Sequence, residues 1–191
     1  MKIFALSSLN VLVSDMKRII NNFFQGKLAS HNISSHKDLI LSNLQSPNLY
    51  RKNTIAMAFR YLCTRKTSVD DLAPLIVPFL GLLNEQNLNI RRATLESLNY
   101  IAYTLPKVLQ YINQSFQVSL ADACKFKPEL VKEIELGPFK YPVDEGLTVR
   151  NLAFSFIDTG LEKILEYCGV AYVIDLIILG LGKENNKRFY I

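Results

Sequence analysis

Apolar positions recur along most of this chain at spacings of three to five residues, separated by short polar breaks. That is the period of helices with one buried face. Residues 3–24 place Phe4, Leu9, Leu12, Val13, Met16, Ile19, Ile20, Phe23 and Phe24 on one wide stripe, with Gly26 as a stop. The polar run Ser34-Ser35-His36-Lys37-Asp38 opens a helix carrying Leu39, Ile40, Leu41 and Leu44, and Ser46-Pro47-Asn48 punctuates it. Residues 49–66 put Ile55, Ala58, Phe59 and Leu62 on one face. Asp70-Asp71 starts the next helix, where acids suit the positive N-terminal end. It carries Leu72, Leu75, Ile76, Phe79, Leu80, Leu82 and Leu83, with Pro74 tolerated in the first turn and Pro78 predicting a kink. Residues 90–104 carry Ile90, Leu95, Leu98 and Ile101. Further helices are expected after Pro106 and after Pro128, the last ending at Gly137.

These helices repeat. Pro47-Asn48-Leu49-Tyr50-Arg51 resembles Asn87-Leu88-Asn89-Ile90-Arg91 forty residues on, and Gly146-Leu147-Thr148-Val149-Arg150 is a third copy. Apolar residues follow each arginine at +4 (Ile55, Leu95, Phe154), +7 (Ala58, Leu98, Ile157) and +11 (Leu62, Ala102, Leu161). A period near 40 built from helix pairs marks a HEAT-type solenoid, in which no pair buries its apolar face alone and neighbours stack into one core. The expected fold class is therefore all-α: a HEAT-repeat, armadillo-type α-solenoid, one segment over 1–191, with repeat starts near 47, 87 and 146. A faint further start near Lys187-Arg188 suggests a piece or truncated form of a larger solenoid. The repeated arginines read either as a basic ladder for an acidic ligand or, preferably, as partners of acids and helix carboxyl ends inside the stack.

The interval from Arg91 to Arg150 is 59 residues, so an insertion of about 19 falls at about 125–145. Within it, Phe139, Tyr141 and Val143 alternate with Lys140 and Pro142, the period of a strand. Gly137, Pro138, Pro142 and Gly146 forbid a helix there. An extended arm or irregular hairpin should project from the helices, and Pro142 confines any pairing to an edge. Its aromatics either fold back on the stack or meet another protein.

Composition narrows the class. The 191 residues are 49% apolar and 20% charged, which is globular. Cys63, Cys124 and Cys168 are too widely spaced for a zinc or redox motif and read as buried reduced thiols of a cytoplasmic or nuclear protein. The first apolar run is broken by Ser7, Ser8 and Asn10, so no secretory signal is expected. No run reaches the roughly 18 to 20 apolar residues of a membrane span. Tyr172–Gly182 contains Asp175 and reads as a buried helix.

The stretch from Phe126 to Asn151 resembles the C-terminal, TATA-binding-protein-interacting (TIP20-type) region of the cullin-associated, neddylation-dissociated family. The resemblance is most specific in Glu135-Leu136-Gly137-Pro138-Phe139-Lys140 and Val143-Asp144-Glu145-Gly146-Leu147. Where related sequences carry a His-Thr pair, this chain has Tyr141-Pro142. The resemblance implies a non-enzymatic scaffold that binds unneddylated cullin–RING ubiquitin ligase scaffolds and promotes exchange of substrate-receptor modules. It also implies TATA-binding protein as a second partner. Carried over by position, Pro138, Phe139, Lys140, Tyr141, Val143, Asp144 and Glu145 would form the protein-binding hairpin.

Catalytic signatures are missing. No phosphate-binding glycine loop, nucleophile elbow or H-E-x-x-H pattern occurs. His31 and His36 are five apart in a polar linker without cysteine or carboxylate company, so neither metal nor cofactor is expected. Asp70-Asp71 and Asp144-Glu145 read as caps and turn formers. The rival reading is a karyopherin-like or transcription-associated HEAT adaptor. A net charge of +5 permits nucleic-acid contact, but the basic residues are spread, which reads as a solvated face rather than a nucleic-acid interface.

Overall fold

The computed structural model describes residues 33–63, 67–111, 114–137 and 139–168, together with Ile174 and Ile178. The helix expected over 3–24, His31 and the start near Lys187 lie outside these residues, as does the side chain of Cys168.

Six α-helices appear among the described residues: α1 (Ile33–Leu44), α2 (Leu49–Leu62), α3 (Val69–Gly81), α4 (Leu88–Thr104), α5 (Gln114–Cys124) and α6 (Leu147–Cys168). Asn48 and Asn87 cap α2 and α4 in the same way. Asn48 Oδ1 accepts from the N–H groups of Tyr50 (2.9 Å) and Arg51 (3.3 Å), and Asn87 Oδ1 from Asn89 (3.0 Å) and Ile90 (3.3 Å). Each cap satisfies donors that the first turn of a helix leaves open. Helix α3 runs through Pro74 and Pro78 and then tightens into a 3-10 turn, Leu82–Asn84.

Helices α2, α4 and α6 pack side by side, with α1, α3 and α5 behind them. The core runs continuously between the layers. Phe59 of α2 stacks on Phe79 of α3 with ring centroids 4.0 Å apart, and Phe116 of α5 meets Phe156 of α6 edge-on at 5.9 Å. Of the positions spaced after the three arginines, Ile55, Ala58, Leu62, Leu95, Leu98, Ala102 and Ile157 are buried and Phe154 is partly buried. Polar threads tie neighbouring helices at the repeat distance. Ser97 Oγ donates to the Ala56 carbonyl (2.6 Å) and Thr104 Oγ1 to the Cys63 carbonyl (3.1 Å), each spanning 41 residues. This is a HEAT-type α-solenoid stack, helical among the described residues apart from one insertion.

Four local expectations need correction. The helix after Pro106 is a 3-10 segment, Pro106–Tyr111, with α5 beginning only at Gln114. The helix expected after Pro128 is a three-residue 3-10 turn, Pro128–Leu130, followed by strand β1, Val131–Leu136. Strand β1 pairs antiparallel with β2, Phe139–Asp144, in the register Leu136 with Phe139 through Val131 with Asp144. The spacing of Val131 and Ile134 fits a helix turn and that of Ile134 and Leu136 a strand; pairing with β2 supplies the backbone partners that a helix of a turn or two would lack. His36 lies inside α1 rather than in a linker. Ile174 and Ile178, the described positions of the stretch expected to be a buried helix, are helical but exposed. No described helix is long and apolar enough to cross a membrane.

Candidate protein-binding site

The hairpin β1–β2 is the insertion. Gly137, with φ +65°, supplies the left-handed backbone at its tip that a residue with a Cβ rarely adopts. Cross-strand partners share a face, so the register sorts the ribbon into two surfaces. One carries Ile134, Phe139, Tyr141 and Val143, which are 44, 62, 48 and 40% exposed, with Lys132 beside Val143 at its root end. The Phe139 and Tyr141 rings lie 6.4 Å apart, tilted rather than stacked. The other surface carries Glu133, Glu135 and Lys140 near the tip, with Lys140 Nζ 3.4 Å from Glu135 and 3.9 Å from Glu133. Pro142 stands opposite Glu133. Both strands of a two-stranded ribbon are edges, which is where a residue without an N–H fits.

Of the residues expected to bind, Phe139, Tyr141 and Val143 therefore share one apolar surface, and Lys140 points to the opposite one. Asp144 and Glu145 do neither. Asp144 turns into the root of the hairpin, where Oδ1 accepts from Gly146 N–H (2.9 Å) and Oδ2 from Arg150 Nη2 (2.9 Å). Glu145 pairs with Lys132 across the ribbon at 2.8 Å. Pro138 lies outside the described residues. Ile134 belongs to the surface, yet reading its segment as a helix leaves it out. Nothing in its own segment signals this; the pairing of Leu136 with Phe139 is what sets Ile134 against Tyr141.

Behind the hairpin, the second and third repeated arginines are buried and paired. Arg91 Nη2 donates to Asp122 Oδ2 (3.1 Å), and Lys127 Nζ donates to the same oxygen (2.6 Å). Burial pushes the Asp122 carboxyl up, but the charges and hydrogen bonds of Lys127 and Arg91 outweigh it and hold the group below the usual carboxylate range. A small cleft beside this node is lined by Leu88, Arg91, Asp122, Lys127, Leu130 and Gly146. Arg51, at the start of the row, is half-buried; its neighbour Lys52 makes the cross-repeat ion pair, with Glu85. Arg91 thus serves the stack and Arg150 the root of the hairpin, rather than lining a ladder. Burial pushes the Cys124 thiol up to about 12 and raises Cys63 as well, so neither is a thiolate at neutral pH. Among the described residues, no group of three or more His, Cys, Asp or Glu side chains is gathered to hold a metal.

Among the described residues, stacked helix pairs that extrude one ribbon with an exposed, largely apolar face define a HEAT-type solenoid with a hairpin insertion. Residues 108–189 match the TIP120 family, described as TATA-binding protein interacting (TIP20). The chain is 36% identical over 131 residues to cullin-associated NEDD8-dissociated protein 1 of Dictyostelium discoideum, covering 65% of this chain and 11% of that protein. It is 30% identical over 141 residues to the C-terminal part of cullin-associated NEDD8-dissociated protein 1 of Emericella nidulans, covering 72% of this chain and 13% of that one. Against cullin-associated NEDD8-dissociated protein 2 of Rattus norvegicus it is 31% identical over 141 residues, covering 73% and 11%. The chain belongs to the family of cullin-associated NEDD8-dissociated proteins, and spans 11 to 13% of the length of these relatives.

Proposed function

We propose that this chain acts as a non-enzymatic scaffold segment that binds unneddylated cullin–RING ligase scaffolds and promotes exchange of their substrate-receptor modules. Family membership supports the cullin as partner, because its relatives are named for that association. The observation that carries the docking role is the ribbon's apolar face. Ile134, Phe139, Tyr141 and Val143 stand exposed together, at a cost in hydration that a partner groove would relieve. TATA-binding protein is a second partner on the strength of the family description alone. The working compartments on this reading are the cytoplasm and nucleus, where those partners reside. Nucleic acid is not part of the reading, and an ionic-strength series would expose it: such binding weakens steeply with salt.

The test is co-purification with a cullin–RING pair, with and without the neddylation mark, for the native chain and for Phe139→Ala/Tyr141→Ala. The expected result is capture of the unmarked pair by the native chain and weaker, still measurable capture with the double variant. Equal capture by a folded double variant removes the hairpin from the interface.

A further inference from the structure

A ribbon of six-residue strands is about 20 Å long, so a 10° change of angle at its root moves its tip by about 3.5 Å. A two-stranded hairpin has little stability of its own to hold that angle. Something at the root must fix it, and one residue of the following helix touches both the end of β2 and the segment that leads into β1. Arg150, in the first turn of α6, donates to Asp144, the last residue of β2, at 2.9 Å. The two side chains are only 10 and 11% exposed. The same guanidinium lies over the ring of Phe126, ahead of β1, at 5.4 Å. The roots are also tied to each other: Glu145 N–H donates to the Leu130 carbonyl at 3.1 Å. Gly146 closes the joint. It is buried, and a Cβ there would come within 2.8 Å of Leu130 Cδ1 and 3.2 Å of Asp144 Oδ1. Beyond the root, the described side chains of the ribbon from Lys132 to Glu135 and from Phe139 to Val143 are exposed.

We infer that Arg150 and Asp144 are positioning residues: a buried clasp that sets the angle at which α6 presents the Phe139–Tyr141 face to its protein partner. The inference rests on the docking role proposed for the hairpin and moves Asp144 from the contacting set to the aiming set. A buried ion pair contributes little to net stability but defines geometry well when its remaining donors and acceptors are used, and here Asp144 Oδ1 is engaged by Gly146. The planar guanidinium fixes direction through the carboxylate and through the Phe126 ring at once, which an ammonium cannot do.

Two measurements on the full chain test this. Spin labels carried by unnatural amino acids at positions 140 and 96 report the tip-to-stack distance without any partner. The native chain should give one narrow distribution. Arg150→Gln should broaden or shift it, while far-UV circular dichroism stays unchanged. Arg150→Lys, which keeps the charge, should fall between the two and guards against an Arg150→Gln chain that fails to fold. An unchanged distribution in both variants overturns the clasp. The second measurement is a double-mutant cycle on affinity for the unneddylated cullin–RING pair. Arg150→Gln should weaken binding about tenfold in the native background and not at all on top of Phe139→Ala/Tyr141→Ala. A loss that persists in that background means Arg150 acts elsewhere, and overturns the inference. If Phe139→Ala/Tyr141→Ala itself leaves binding intact, the docking role falls first, and the clasp loses its function with it.

Discussion

The helical stack and the hairpin spend their apolar residues in opposite ways. In the stack, Phe59, Phe79, Leu72, Ile76, Leu95 and Leu98 are buried against neighbours whose backbones are tied at the 41-residue repeat distance. In the hairpin, Phe139 and Tyr141 stand exposed, their rings 6.4 Å apart. The same residue type thus stabilises in one region and waits in the other. The difference teaches where function sits. A side chain whose removal costs no stability but costs binding belongs to the surface the fold was built to present.

Substitutions can break or sharpen that contrast. The largest effect is expected from Phe79→Ala, which empties the stacked ring pair and should cost about 3 to 5 kcal/mol in urea unfolding. Phe139→Ala, the matching deletion in the ribbon, should stay within about 0.5 kcal/mol. Equal costs for the two would abolish the distinction. At the joint between the regions, Gly146→Val forces a branched side chain against Leu130 and Asp144 and should cost about 1 to 3 kcal/mol, read in the same assay. Loss of the α4 cap in Asn87→Ala should cost about 1 kcal/mol by thermal melting.

A smaller effect concerns acid. Asp122 titrates lower in the folded chain than its ordinary value of 3.8, because Lys127 and Arg91 face it. Its contribution is therefore fully present above that value and is lost as pH falls through the lower folded one. Unfolding midpoints followed from about pH 5 to about pH 2 should drop less steeply for Asp122→Asn than for the native chain. The difference will be modest, since 45% of the side chain meets solvent. Smallest of all, Lys140→Ala removes two exposed ion pairs and should change stability by less than about 0.5 kcal/mol.

Much of the stack was legible as spacing. The +4, +7 and +11 positions after Arg51, Arg91 and Arg150 mark one helix face because 3.6 residues complete a turn whatever the neighbours are. The hairpin was legible from Phe139 onward, where alternation, with Pro138 before it and Pro142 within it, leaves no helical option. Its first strand was not. Val131-Lys132-Glu133-Ile134-Glu135-Leu136 carries no signal that separates a short helix from a strand, and the choice was made by residues 139–144 pairing with it. Asp144 and Glu145 show the same limit at a single site: as adjacent acids they look alike, but one is drawn inward by Arg150 and the other pairs with Lys132.

By itself the sequence determined the helix period, the breaks between helices and the segment that could not be helical, because each depends on bonds and sterics within a few residues. Tertiary structure alone decided that 131–136 is a strand, that Ile134 joins Tyr141 on one face, and that Arg91 and Arg150 are spent on Asp122 and Asp144. Those outcomes depend on which distant groups come within hydrogen-bonding reach once the core has closed, and local pattern carries no record of that distance.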